Sequence, residues 1–141
     1  MTIFPKKGKG FLRETGKMAK RVLDVGNCVP DHAAIRGMLE KQFRAEVVQA
    51  DGPDDALAAL RNQPFDLVLV NRKLDQDYSD GLEVIKQIKA DAKLQSIPCM
   101  LITNYPDQQD VAVAAGAEYG FGKKELYDKE THERLTRFLS A

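Results

Sequence analysis

A chain of 141 residues carrying 21 basic and 21 acidic side chains has the length of one domain, enough to bury about two-thirds of the surface its unfolded form exposes. Two cysteines exclude a disulfide framework, and Cys28, Cys99, His32 and His132 show no zinc-ligand spacing, so no metal site is expected from them. No apolar run is long enough to cross a bilayer and no secretory leader is visible, which makes a reducing cytoplasm the expected location and membrane insertion unexpected.

The balanced charge is unevenly placed. Residues 1–20 hold six basic side chains against Glu14 alone, a net of +5, which leaves 15 basic against 20 acidic and a net of −5 for the rest. Three glycines, Pro5 and scattered lysines without a sustained period read as a flexible basic arm over 1–20, followed by a domain over 21–141. The arm is either a solvated tail or a contact for an acidic partner, a membrane surface or nucleic acid; the domain itself is not expected to bind nucleic acid.

Arg21 to Asn27 is strand-like and ends in turn residues, and Pro30 stands where a helix opens. Ile35, Met38, Leu39 and Phe43 then share one helical face, giving a first helix over Pro30 to Phe43. Ala45 to Ala50 is a short second strand. Asp51-Gly52-Pro53 opens a second helix with Ala56, Leu57, Ala59 and Leu60 inward, and Asn62-Gln63-Pro64 stops it. Asp66-Leu67-Val68-Leu69-Val70-Asn71 is a third strand, buried on both faces because four apolar residues run without alternation. A third helix follows over Gly81 to Ala92 with Leu82, Ile85 and Ile88 inward. Ile97 to Thr103 is a fourth buried strand, Asp107 to Ala115 a short fourth helix stopped by Gly116-Ala117, Glu118 to Gly122 a fifth strand, and Thr131 to Leu139 a last helix. Strands alternating with helices imply right-handed crossovers and a parallel sheet, for which we take the order 2-1-3-4-5. Ligands of such sheets sit at the carboxyl ends of the central strands, which puts Asn71 at the mouth of the expected site.

From Arg21 to Leu139 the chain resembles the receiver domain of bacterial two-component response regulators. The resemblance is carried by Pro64-Phe65-Asp66-Leu67-Val68-Leu69-Val70, Gly81-Leu82-Glu83-Val84-Ile85, Ile97-Pro98-Cys99-Met100-Leu101-Ile102-Thr103, and Gly116-Ala117 followed by Lys123, in this order and spacing. It implies an α/β, flavodoxin-like (CheY-like) (βα)5 three-layer sandwich and a family activity in which an aspartate accepts a phosphoryl group from a histidine kinase. The chain departs from that pattern at the chemistry. The phospho-acceptor position falls on Asn71, and the acidic pair expected after the first strand falls on Gly26 and Asn27. An amide is no substitute for the carboxylate nucleophile, and Mg2+ loses most of its attraction without the acids, so Mg2+ binding is expected to be lost or weak and phosphorylation to fail. Two positions are retained, Thr103 and Lys123. The aromatic switch position is Gly120, and Lys124 replaces the usual proline after the lysine.

Three functional readings follow. The leading one is a phosphorylation-independent pseudo-receiver, not an enzyme, binding protein partners of a signalling pathway through its helix 4, strand 5 and helix 5 face. The second is a receiver phosphorylated on another acid such as Asp24 or Asp75. The third is an anion or small-ligand sensor built from Lys123, Thr103, the Asn71 amide and the first strand-helix turn. Set against that sensor is a pocket in which Lys123 hydrogen-bonds Asn71 and nearby carbonyls. Asp24, interrupting an apolar strand, is expected to pair with a lysine, arginine or helix end near the strand's start, or to serve the pocket as a displaced acid. Asp75 to Gly81 reads as a solvated acidic loop, since Lys86 stands where a calcium loop needs glutamate. His32 is expected to face solvent, Cys99 to lie in the core, and Cys28 to sit beside the pocket, inert or as a redox handle.

Overall fold

The computed structural model describes residues 18–140; the arm expected over 1–20 lies outside this range up to residue 17. The elements run β1 (Arg21–Val25), α1 (Val29–Phe43), β2 (Glu46–Ala50), α2 (Pro53–Asn62), β3 (Leu67–Asn71), α3 (Leu82–Ala90), β4 (Cys99–Ile102), α4 (Pro106–Ala114), β5 (Glu118–Phe121), a 3-10 turn (Lys123–Glu125) and α5 (Lys129–Leu139). All four strand pairings are parallel, as the alternation of elements requires, and the order is β2-β1-β3-β4-β5, the one taken from the sequence.

The unbroken apolar run of β3 divides between two cores. Val68 and Val70 join Leu23, Val25, Leu60, Ile85, Ile88 and Leu101 on one face, while Leu67 and Leu69 join Val22, Ile35, Met38, Leu39, Met100, Phe121 and Leu135 on the other. Period-two alternation therefore sends neighbouring residues into opposite layers, each closed by helices. At about 1.5–3 kcal/mol for each fully buried large aliphatic, these two layers hold the sheet centre rigid and so fix the strand ends where the site lies.

The helices differ from the sequence reading mainly at their ends. α5 begins two residues early, at Lys129, with Asp128 in extended backbone at the position before it. α3 spans Leu82–Ala90 rather than 81–92, and its fully buried residues are Val84, Ile85 and Ile88, with Leu82 only half-buried at the first turn. Between β3 and α3 the chain forms a small excursion closed by an antiparallel bridge between Lys73 and Asp80.

Candidate functional site

The carboxyl ends of β1, β3, β4 and β5 converge with the turn after β1 and the loop after β3. Asn71 is the last residue of β3, in register with Ile102 of β4. Its Nδ2 donates to the Lys73 carbonyl at 2.6 Å and reaches the Gly26 carbonyl at 3.5 Å. The amide thus ties the β3 loop to the turn after β1, a role a carboxylate, which only accepts, does not fill.

Gly26 turns the chain out of β1 with φ +81°, a left-handed conformation that costs glycine little. Its N–H donates to Ala50 at 2.8 Å and its carbonyl accepts the Asp75 N–H at 2.9 Å. The space a side chain would take here is filled: a Cβ on Gly26 would collide with the side chain of Leu74, which is 1% exposed. Leu74 was readable only as an apolar residue inside a charged loop; its place over Gly26 follows from the loop folding back across the first turn.

Asn27 donates its Nδ2 to Asp24 Oδ1 at 2.6 Å, and His32 Nδ1 lies 2.6 Å from the other oxygen, Asp24 Oδ2. Asp24 is 0% exposed, and burial pushes its carboxyl above the usual carboxylate value, against the lowering effects of His32, Asn27 and more distant Lys123. Two expectations are corrected here. Asp24 is the fourth of five residues in β1, not near its start, and its partners are a histidine and an amide rather than a lysine, arginine or helix end. His32 does not face solvent: its side chain is 13% exposed, drawn in from the first turn of α1 because a buried carboxylate must be paired. The Asn27 Oδ1 is buried without a partner.

Lys123 Nζ is paired with Asp31 Oδ2 at 2.6 Å, not with Asn71. The correction has an electrostatic cause: the Asn71 amide offers no charge, whereas Asp31 in the first turn of α1 offers a full one. That contact, more than any other, holds the Asp31 carboxyl below its usual range, with help from the Cys28 thiol, which is half-buried at the start of the helix. Asp31 went unread because it is 92 positions from Lys123, although an acid directly after Pro30 at a helix opening faces the strand ends.

Thr103 follows β4, and its Oγ1 accepts the Tyr105 N–H at 3.2 Å. Gly120 lies buried in β5, its N–H donating to Gln109 Oε1 at 2.7 Å. Gln109, 2% exposed, donates in turn to the Leu101 and Thr103 carbonyls at 3.0 and 3.3 Å. A side chain at 120 would collide with the Leu101 carbonyl, so no switch aromatic fits there. Cys99 is core, as expected, and burial pushes its thiol up to about 11. Among the described residues no group of three or more His, Cys, Asp or Glu is placed to hold a metal.

A five-stranded parallel sheet in the order 2-1-3-4-5, covered by helices on both faces with its polar cluster at the strand ends, defines the flavodoxin-like, CheY-like class. The model of the response regulator receiver domain family matches residues 28–135, and the chain belongs to that family. The fold is similar to that of the signal receiver domain of a DNA-binding response regulator (merR) from Colwellia psychrerythraea 34H, with TM-score 0.69 and 23% identity over 84% of this chain and 96% of that one. It is also similar to Vibrio cholerae chemotaxis protein CheY4 (TM-score 0.63, 20% identity, 84% and 94% covered). The receiver domain of NtrX from Brucella abortus is similar at TM-score 0.63 and 25% identity, over 74% and 90%. The protein is a receiver domain of the two-component response-regulator type, a class of signalling module that works with protein partners.

Proposed function

We propose that this receiver domain signals through protein contacts without being phosphorylated and without Mg2+. The observation that carries the reading is Asn71: the end of β3 presents an amide whose NH2 is committed to two backbone carbonyls, where the family chemistry needs a free carboxylate. Gly26 and Asn27 supply no charge beside it, so a divalent cation lacks its carboxylates, and Leu74 lies where a side chain at position 26 would begin. Asp24 is a poor substitute acceptor, being fully buried with both oxygens engaged.

The face proposed for the partner runs along α4, β5 and the start of α5. Val111 and Val113 on α4, Tyr105 at its cap, Tyr119 on β5 and Tyr127 ahead of α5 are all exposed, and the Arg134 guanidinium stacks 4.7 Å from the Tyr119 ring. Exposed aromatic and arginine groups of this kind are what protein interfaces bury. Cytoplasmic action accords with free cysteines among the described residues and with no helix there long and apolar enough to cross a membrane.

Incubation with acetyl phosphate and Mg2+ followed by intact mass measurement tests the reading. The expected mass is unchanged, in the wild type and in Asn71→Asp alone, because the single variant still lacks the acidic pair. A phosphoryl adduct on the wild type overturns the proposal, and rapid labelling of the single variant overturns the account of Gly26 and Asn27.

A further inference from the structure

At the end of the domain opposite the strand carboxyl ends, a cavity of about 420 Å3 lies between the last turn of α2 and the turn after α3, lined by Leu60, Arg61, Asp91, Lys93 and Leu94. That volume falls in the ~300–1,000 Å3 range of pockets that enclose a small ligand. Leu60 and Leu94, 5% and 4% exposed, form its apolar floor. Lys93 and the ion pair of Arg61 Nη2 with Asp91 Oδ2, at 3.0 Å, form a charged rim. An apolar floor inside a charged rim suits one or two apolar side chains carried on a polar segment.

The chain enters β1 beside this cavity. Leu23 and Val25 share a core with Leu60, and by period-two alternation Arg21 lies on the same face of the sheet. The Arg21 guanidinium donates to the Pro64 carbonyl at 2.9 Å and lies 5.8 Å from the Phe65 ring, while its N–H donates to Asp66 at 2.8 Å. Pro64 stands four positions after Leu60, a span of at most ~14 Å. Residues 1–17, ahead of the described chain, hold Lys6, Lys7, Lys9, Arg13 and Lys17 against Glu14, a net of +4, which leaves 16 basic against 20 acidic and −4 for the remainder. Inside that polar segment Phe11 and Leu12 are adjacent. Phe11 is ten positions before Arg21, up to ~33 Å of chain, so the reach exceeds the distance to Leu60 with the Arg21 side chain included.

We propose that the segment 1–17 docks intramolecularly at this cavity, with Phe11 and Leu12 seated on Leu60 and Leu94 and the flanking cations held by the acidic remainder of the domain. A second cavity at the same end, about 300 Å3 between the end of α1 and α5, is lined by Lys41 and Arg44 and by no acid. It disfavours a +4 segment, whereas the cavity between α2 and α3 carries Asp91 in its wall. Tethering raises the effective concentration to about the millimolar range, so two apolar side chains that would bind weakly as a separate molecule suffice within one chain. The docked segment bridges the last turn of α2 and the turn after α3. This goes beyond the proposed function, since it involves neither Asn71 nor the α4 face.

The test is methyl and aromatic NMR of the full chain at low ionic strength, comparing the wild type with the double variant Phe11→Ala, Leu12→Ala, whose substitutions lie outside the folded domain. Nuclear Overhauser contacts between the Phe11 ring and the Leu60 and Leu94 methyls are expected in the wild type, unchanged on roughly tenfold dilution as an intramolecular contact must be. The same methyls shift in the double variant. Trypsin cleavage after Arg13 and Lys17 is expected to run about fivefold faster in the double variant, because docking withholds those bonds from the protease. Lys93→Glu, which exchanges a rim cation for an acid, is expected to slow that cleavage further. Leu60 and Leu94 methyls at the same positions in both proteins, equal cleavage rates, or ring contacts to the residues between α1 and α5 overturn the proposal. Contacts that fade on dilution place the segment of a second copy in the cavity and overturn the intramolecular docking.

Discussion

At the scale of the residue, the site replaces one charge arrangement with another. The buried Asp24 carboxylate is held by His32 from α1 and Asn27 from the turn, with Lys123 contributing from beyond β5. His32→Ala leaves one oxygen of that buried carboxyl without its hydrogen-bond partner and is expected to cost about 1–3 kcal/mol, read from urea midpoints. Asp24 also makes stability depend on pH with a definite sign. Its folded value is raised by burial above the 3.8 of the free side chain, so the folded state retains the proton that the unfolded state loses. The stability of the wild type relative to Asp24→Asn is therefore constant below 3.8 and falls as the pH climbs from there through the raised value. Urea titrations of both proteins across that window check this, and a difference that grows with pH would contradict it. Asn71, Gly26 and Thr103 were legible in the sequence because a strand end fixes its own position. The partners of Asp24 and Lys123 were not: pairings such as Lys123 with Asp31 depend on how α1 is rotated over the sheet, which no local period encodes.

At the scale of the element, the turn after β1 and the loop after β3 act as one unit. Gly26 at φ +81°, Leu74 packed over it and the Asn71 amide between them close the corner that an acidic pair would leave open. Adding Gly26→Asp forces a side chain into the left-handed region, at about 1–2 kcal/mol, and into Leu74 as well. The triple variant Gly26→Asp, Asn27→Asp, Asn71→Asp is therefore expected to be less stable than the wild type and to bind Mg2+ only weakly. Including Leu74→Ala relieves the collision and strengthens Mg2+ binding, while the lost packing costs a further ~2–4 kcal/mol. Tight Mg2+ binding by the triple variant, measured by calorimetry, would show that Leu74 yields easily. Element order was legible because hydrophobic runs and turn residues specify it directly, whereas the strand order had to be chosen among those that right-handed crossovers allow. This corner was not legible, since the reach of Leu74 depends on a loop conformation closed by the Lys73 and Asp80 bridge rather than on periodicity.

At the scale of the whole molecule, α4 is fastened to the sheet by Ala112 in the core and by the buried polar side chain of Gln109. Gln109 bonds the Leu101 and Thr103 carbonyls of the β4 segment and the Gly120 N–H of β5, so β4, α4 and β5 share one polar junction. Gly120 has no side chain to swing and no space for one, which removes an aromatic rotor from the face proposed for the partner. A module that binds constitutively needs this face in one conformation; a ligand that does not favour a second state cannot shift it. Gln109→Ala leaves two carbonyls and one N–H of a buried junction without this partner and is expected to destabilise the domain by about 2–3 kcal/mol. The sharper consequence is dynamic. Relaxation-dispersion NMR on the wild type is expected to be flat from Thr103 to Gly122, whereas Gln109→Ala introduces exchange on the microsecond-to-millisecond scale along the same stretch. Exchange already present in the wild type would mean that the face samples two conformations, and docking would then be regulated by their populations rather than built in.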